Sequence, residues 1–332
     1  MARRQFVNDP RRHVGEALEG LELAYPGLVR FNREPAFVAR VDDDRPAKVG
    51  LVAGGGSGHE PLHTGFVGRG MLDAAVPGAI FSSPTAEQVH AATLAADSGR
   101  GVLHVVKNYT GDVMNFSIAA ELATADGVAV ESVLVDDDLA TDATDGPGRR
   151  GTAAVVAVEK ICGAAAERGA ELEELTALGA RVAGGARTMA LALEPLTHPG
   201  ADRTSFELGA DEVELGIGIH GERGVGRSAF APARELVELL ARPLLDALEL
   251  GEGDRVLAIV NGLGATHPLE LMVVYRELRA LLDGLGVEAA RSLVGPYVTA
   301  LDMGGCSITL VRVDDELLEL WDEPVLTPAL RW

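Results

Sequence analysis

The sequence predicts an α/β protein of two domains, each a β-sheet flanked by helices. Two observations carry this. Short β-rich runs alternate with longer amphipathic stretches along the whole chain. A length of 332 residues with 47% apolar content also supplies core for two domains of ordinary size.

Taken in order, amphipathic spacing predicts helix over 14–24, and KVGLVA predicts a strand over 48–53. A helix follows over 86–96, a strand over 102–107 (VLHVVK), a helix over 117–124 and a strand over 128–135. The segment 152–168 is apolar almost all round with few breakers, which reads as a buried helix. The next helix, 172–189, leads into residues 190–202, which hold two prolines; the domain boundary is expected near 190, giving domains 1–190 and 191–332. The second domain reads as strands 212–219, 254–261 and 307–313 with helices 231–248 and 268–285. Two loops, 141–150 (TDATDGPGRR) and 220–227 (HGERGVGR), mix turn formers with charge and read as mobile or functional connections.

The bulk properties exclude several classes of function. A net charge of -21 opposes nucleic acid or an anionic membrane as partner, since both carry phosphate fields that repel this surface. Cys162 and Cys306 lie far apart and outside any CxxC spacing, so buried free thiols are expected rather than a disulfide framework or a zinc site. The N-terminal basic residues have no apolar stretch behind them, and no run approaches the roughly 18 apolar residues of a membrane span. A cytoplasmic protein is expected.

Three constellations can carry chemistry. The first is GGGSGHEP, residues 54–61, directly after the strand 48–53. Its glycines let the backbone turn sharply and approach a ligand closely, and such turns aim N–H groups at oxygens. It lacks the lysine of a phosphate-binding loop, and His59 stands where a dinucleotide fingerprint needs its third glycine. A histidine inside the loop points instead to a small-molecule site, because imidazole exchanges protons near neutral pH. The second is KNYTGD, residues 107–112, at the carboxyl end of the strand 102–107. Ligands of open α/β sheets bind beyond the carboxyl ends of strands, so this segment is expected to share a crevice with the glycine run. Lys107 offers a cation and Asp112 a base, although such a pair alone is more often a surface ion pair.

The third is GIGIHGE, residues 216–222, where alternating glycines give a strand with one slim face and His220 at its end. A neutral imidazole nitrogen there can add to a ketone carbonyl, giving a hemiaminal. Taken alone, the same residue reads first as a histidine capping a backbone carbonyl. Of the other histidines, His63 and His104 are near the site and read as packing residues, while His13, His90, His198 and His267 lack a comparable setting. The triplet Asp136–Asp138 reads as a solvated turn or a cap, and no metal site is expected.

These strings, with GRRGTAAVVAVEKICGAA, FELGADEVELGIGIHGE and SLVGPYVTALDMGGCSITL, together resemble the dihydroxyacetone kinase K subunit family. The resemblance runs from FVNDP at 6–10 to TPALRW at 327–332. It implies a homodimeric two-domain subunit whose covalent histidine is His220. It implies a glycine loop of Gly56, Ser57 and Gly58 against the substrate, an active-site histidine at His59, and the family's lysine and aspartate at Lys107 and Asp112. Such a subunit binds dihydroxyacetone as a hemiaminal and presents its hydroxyl for phosphoryl transfer. Either Asp112 or His59 serves as the base. The chain itself is expected to hold no cofactor: ATP or ADP with Mg²⁺ belongs to a separate L subunit. That subunit exchanges ATP or is rephosphorylated from phosphoenolpyruvate through a phosphotransferase-system M subunit. Two alternatives stay open, a K-like ligand sensor or coactivator, and a kinase subunit for another small ketose such as erythrulose.

Overall fold

The computed structural model describes residues 4–41, 47–141 and 148–332. In chain order these form α1 (His13–Ala24), β1 (Val29–Arg33), β2 (Ala36–Arg40), β3 (Gly50–Ser57), β4 (Ala74–Ile80), α2 (Ala86–Ala96), β5 (Val102–Lys107), α3 (Thr110–Ala125) and β6 (Val130–Val135). There follow α4 (Ala154–Glu167), α5 (Leu172–Gly184), β7 (Ala186–Glu194), β8 (Glu212–Leu215), β9 (Gly226–Ala229), α6 (Ala233–Ala247), β10 (Arg255–Gly262), α7 (Pro268–Gly284), β11 (Glu288–Gly295), β12 (Gly304–Arg312) and α8 (Asp315–Asp322). The protein is α/β with two six-stranded sheets, as the alternation of runs predicts.

The chain divides into two compact units, but not at residue 190. One holds Asn8–Val135, Val155–Ala183 and Glu319–Trp332, with sheet β1–β6; the other holds Met1–Val7, Asp136–Ala154 and Gly184–Leu318, with sheet β7–β12. Residue 190 lies inside β7, where Ala190 pairs with Ser307 of β12. The expected helix 172–189 stops at Gly184, and the chain after Gly185 is strand. The expected loop 141–150 falls largely on 142–147, outside the described residues.

In the β1–β6 unit the strand order is β1-β2-β4-β3-β5-β6. Strands β4, β3, β5 and β6 run parallel, and the β1–β2 hairpin is antiparallel at one edge. Its core sets Val52, Val76, Val102 and Val106 of the sheet against Val89, Ala92 and Ala96 of α2 and Phe116 and Ala119 of α3. Helix α2 starts where expected because Thr85 and Gln88 form a reciprocal capping box. The C-terminal segment belongs to this unit: Ala329 N–H donates to the Gly65 carbonyl at 2.9 Å.

In the β7–β12 unit the order is β11-β10-β12-β7-β8-β9, parallel only between β10 and β11. Leu236, Leu240 and Leu244 of α6 and Leu271, Leu278 and Leu282 of α7 form apolar stripes at helical spacing that cover this sheet. Among the described residues no helix is long and apolar enough to cross a membrane. Both cysteines are buried free thiols, and burial pushes each up to about 12.

Candidate active site

In the β1–β6 unit the expected lysine, aspartate and glycine run converge at the carboxyl ends of β3 and β5. Strand β3 does not end at Ala53; it continues through Gly54, Gly55 and Gly56 to Ser57. These glycines serve close approach rather than a sharp turn. A Cβ on Gly55 would collide with Lys107 Nζ, and one on Gly56 would lie 2.7 Å from the Ser82 backbone nitrogen. The chain turns only beyond them, at Gly58, whose φ of 106° is a conformation that glycine adopts freely.

Lys107 and Asp112 are not a surface pair: they are 1% and 3% exposed. The Lys107 ammonium donates to the Gly54 carbonyl at 2.9 Å and to His63 Nε2 at 2.8 Å, and stands 3.6 Å from Asp112 Oδ2. Asp112 sits in the first turn of α3, where the helix dipole favours negative charge. Its Oδ1 is buried and accepts no hydrogen bond among the described residues. His59 stacks on Phe81 with ring centroids 5.0 Å apart. Ser57 Oγ donates to the Gly78 carbonyl at 2.7 Å, and Gly58 N–H donates to Glu60 at 2.9 Å.

His63 is not merely a packing residue. Its Nδ1 lies 2.5 Å from Glu159 Oε1 on α4, so that Glu159, His63 and Lys107 form a continuous buried chain. Sequence reading passes over Glu159; its only signal is a glutamate inside an otherwise apolar helix. His104 is a core histidine, with Nε2 2.8 Å from Thr93 Oγ1 and its ring edge-on to Phe116. Burial pulls it down to about 3.

His220 belongs to the β7–β12 unit. Strand β8 ends at Leu215, so His220 does not stand on a strand. It occupies a tight turn closed by bonds from Gly218 N–H to the Glu222 carbonyl and from Gly221 N–H to the Gly218 carbonyl, both 3.0 Å. Glu222, given no role by sequence, holds the histidine: Oε1 is 2.7 Å from His220 Nδ1, and Oε2 accepts the His220 backbone N–H at 3.0 Å. Burial opposes the Glu222 charge, but the hydrogen bond from His220 and the charges of His220 and Arg150 hold the carboxyl at about 2. An ionised carboxylate only accepts, so the Nδ1 that faces it carries a proton. Arg150 fastens this turn, donating to the Gly216 carbonyl at 3.0 Å and to Asp138 at 2.7 Å.

A pH dependence follows from Glu222. Its folded value lies below the ordinary 4.5, so its contribution to stability is full above pH 4.5 and is lost as pH falls through about 2. In urea melts the difference between the native chain and Glu222→Gln should be constant above pH 5 and shrink between 4.5 and 2. A difference that grows on acidification would contradict the assignment.

The aspartate triplet is held by the protein around it. Asp136 pairs with Arg149 at 2.9 Å and Asp138 with Arg150. Asp137 accepts from Thr152 N–H and hydroxyl and from Ala154 N–H at 2.6, 2.7 and 3.0 Å, and from the Thr188 hydroxyl. This is the capping reading rather than a solvated turn.

Comparison with known proteins identifies the family of the chain. The Dak1 domain family model matches residues 19–329. The PTS-dependent dihydroxyacetone kinase 1, dihydroxyacetone-binding subunit DhaK, of Listeria innocua is 48% identical over 94% of this chain and 95% of its own length. The PEP-dependent dihydroxyacetone kinase subunit DhaK of Escherichia coli is 42% identical over 99% of each chain. Among solved structures, the dihydroxyacetone kinase of C. freundii superimposes with a TM-score of 0.88 at 34% identity, over 99% of this chain and 60% of that one. The dihydroxyacetone kinase operon co-activator DhaQ gives 0.88 at 33% identity, over 95% and 96%. The chain belongs to the Dak1 domain family, and within it resembles the dihydroxyacetone-binding DhaK subunits of dihydroxyacetone kinases.

Proposed function

We propose that this chain is the dihydroxyacetone-binding subunit of a dihydroxyacetone kinase, yielding dihydroxyacetone phosphate. The observation that carries this is the buried Lys107–Asp112 pair, with one carboxylate oxygen that accepts no hydrogen bond among the described residues. Ligand sensing needs no base, so the pair favours catalysis over the co-activator function of the structural relative DhaQ, whose fold is equally similar.

Dihydroxyacetone is small and uncharged, and ordinary contacts supply it with little affinity. A reversible bond from His220 Nε2 to the ketone carbon overcomes this and rejects glycerol, which has no electrophilic carbon. Attack leaves positive charge on the ring, stabilised by Glu222 at 2.7 Å, while the ketone oxygen takes up a proton. Fixing the ketone also fixes its terminal hydroxyl, and positioning of this kind supplies up to roughly 7–11 kcal/mol of a barrier. Asp112 accepts the hydroxyl proton, with His59 the other candidate base, and Lys107 stabilises charge on the transferring group. Gly56, Ser57 and Gly58 line the approach.

The phosphate would come from ATP held with Mg²⁺ on a separate L subunit, leaving ADP there to be exchanged or rephosphorylated. In support, the relatives that this chain covers almost end to end are themselves named as subunits. Their names, PTS-dependent and PEP-dependent, also favour phosphoenolpyruvate as the ultimate donor, and an M subunit is expected on the family resemblance alone. A homodimer is expected on the same resemblance.

The test is to mix the chain with a cognate L subunit and phosphate donor and to assay phosphorylation of dihydroxyacetone. Absence of turnover with every cognate L would remove the kinase reading in favour of the sensor. Separately, His220→Ala should abolish the covalent adduct, seen as the loss of continuous density between ring and ketone carbon; an adduct surviving in that variant refutes the assignment.

A further inference from the structure

We propose that Glu159 and His63 are positioning residues for Lys107: the glutamate fixes the imidazole in its Nδ1–H tautomer, and Nε2 then aims the ammonium between Gly54 and Asp112. This deepens the kinase reading and rests on it for the role of Lys107, but the tautomer itself does not.

The tautomer follows from the donor inventory. An ammonium donates and cannot accept, so the ring nitrogen 2.8 Å from Lys107 Nζ must offer a lone pair. Burial and the neighbouring charges of Lys107 and His59 outweigh a hydrogen bond with the Gly54 backbone and hold His63 well below the ordinary histidine value, so the ring is neutral and has one N–H. That N–H is on Nδ1 and points at Glu159 Oε1, 2.5 Å away. The ionisable groups facing the chain are Lys107 on β5, Asp112 on α3, His59 beyond β3 and Glu159 on α4.

The chain leaves Lys107 little freedom. Its three protons are directed to the Gly54 carbonyl, to His63 Nε2 and toward Asp112, and the side chain is packed over Gly55, where any Cβ would displace it. Without the imidazole the ammonium would retain one strong acceptor and would swing. Glu159 is fully buried, and burial drives it well above the ordinary carboxyl value while Lys107 pulls it back. Its service to His63 therefore depends on an acceptor oxygen rather than on full charge, and a neutral amide can replace it.

Two measurements test this. In the native chain, long-range ¹⁵N–¹H spectra of histidine-labelled protein should show His63 as the Nδ1–H tautomer with an unprotonated Nε2. An Nε2–H tautomer overturns the proposal, whatever the kinase assay gives. With the L subunit present, Glu159→Gln should keep kcat within about threefold. Glu159→Leu should lose about 10–100-fold in kcat with KM for dihydroxyacetone nearly unchanged, the range found when supporting hydrogen bonds behind a functional group are removed. A folded leucine variant with native kcat overturns the proposal, as does an equal loss in both variants. If the native chain shows no turnover, the kinase reading fails and the tautomer alone decides this inference.

Discussion

Asp112→Asn should lower kcat by about 10²–10⁴-fold while dihydroxyacetone still forms its adduct on His220. The magnitude is that of a positioned general base, or about 3–5 kcal/mol of transition-state stabilisation. Asparagine preserves the shape of the side chain and can turn its oxygen toward Lys107, so the site should persist. What it loses is an acceptor basic enough to take a hydroxyl proton. Asp112 Oδ1 suits that task because it is buried and accepts no hydrogen bond among the described residues, whereas Oδ2 is 3.6 Å from the Lys107 ammonium. The check is kcat in the reconstituted reaction, with adduct occupancy measured by intact mass on the same sample. Undiminished turnover would assign the base role to His59, and loss of the adduct would give Asp112 a part in binding.

The same residues show how far the sequence is legible. VLHVVK ends where β5 ends, because a short valine-rich run closed by a lysine has the length and composition of a buried strand, and Lys107 and Asp112 follow from that placement. Strand β4 (AAVPGAI) is hidden by Pro77 and Gly78, turn formers that here sit inside a strand. Gly78 is needed because a Cβ there would meet the Ser82 carbonyl. Strand β7 is mistaken for the end of a helix because methionine, alanine and leucine are strong helix formers; its pairing with β12 decides its form. The bond from His63 to Glu159 joins residues 96 apart and leaves no local pattern. Glu222 was within reach, two residues after His220, but its function depends on the turn that replaces the expected strand.

The largest loss of stability should come from Asp73→Ala, which should destabilise the β1–β6 unit by about 3–5 kcal/mol, the cost of leaving buried charge unpaired. Asp73 is 2% exposed and stands just before β4. Its Oδ2 accepts from Lys48 Nζ at 2.5 Å and from Leu51 N–H of β3 at 2.9 Å, and its Oδ1 is 3.5 Å from Arg40 of β2. Arg40 also meets Glu167 at 2.5 Å, which links the two cations and the two carboxylates. Alanine at 73 takes a carboxylate from both cations and removes the acceptor of the Leu51 backbone donor. The urea midpoint should fall with little change in slope. Combining Lys48→Met with Asp73→Leu should recover part of the loss, because one buried cation goes with the carboxylate while Arg40 still pairs with Glu167. No recovery in the double variant would locate the cost in the Leu51 hydrogen bond rather than in unpaired charge. An exposed pair such as Arg168–Glu319 is the control, with an expected effect below about 1 kcal/mol. Because Asp73 joins the strand that carries Gly54–Ser57 to its neighbour, its loss should also weaken capture of dihydroxyacetone at temperatures where the fold still holds.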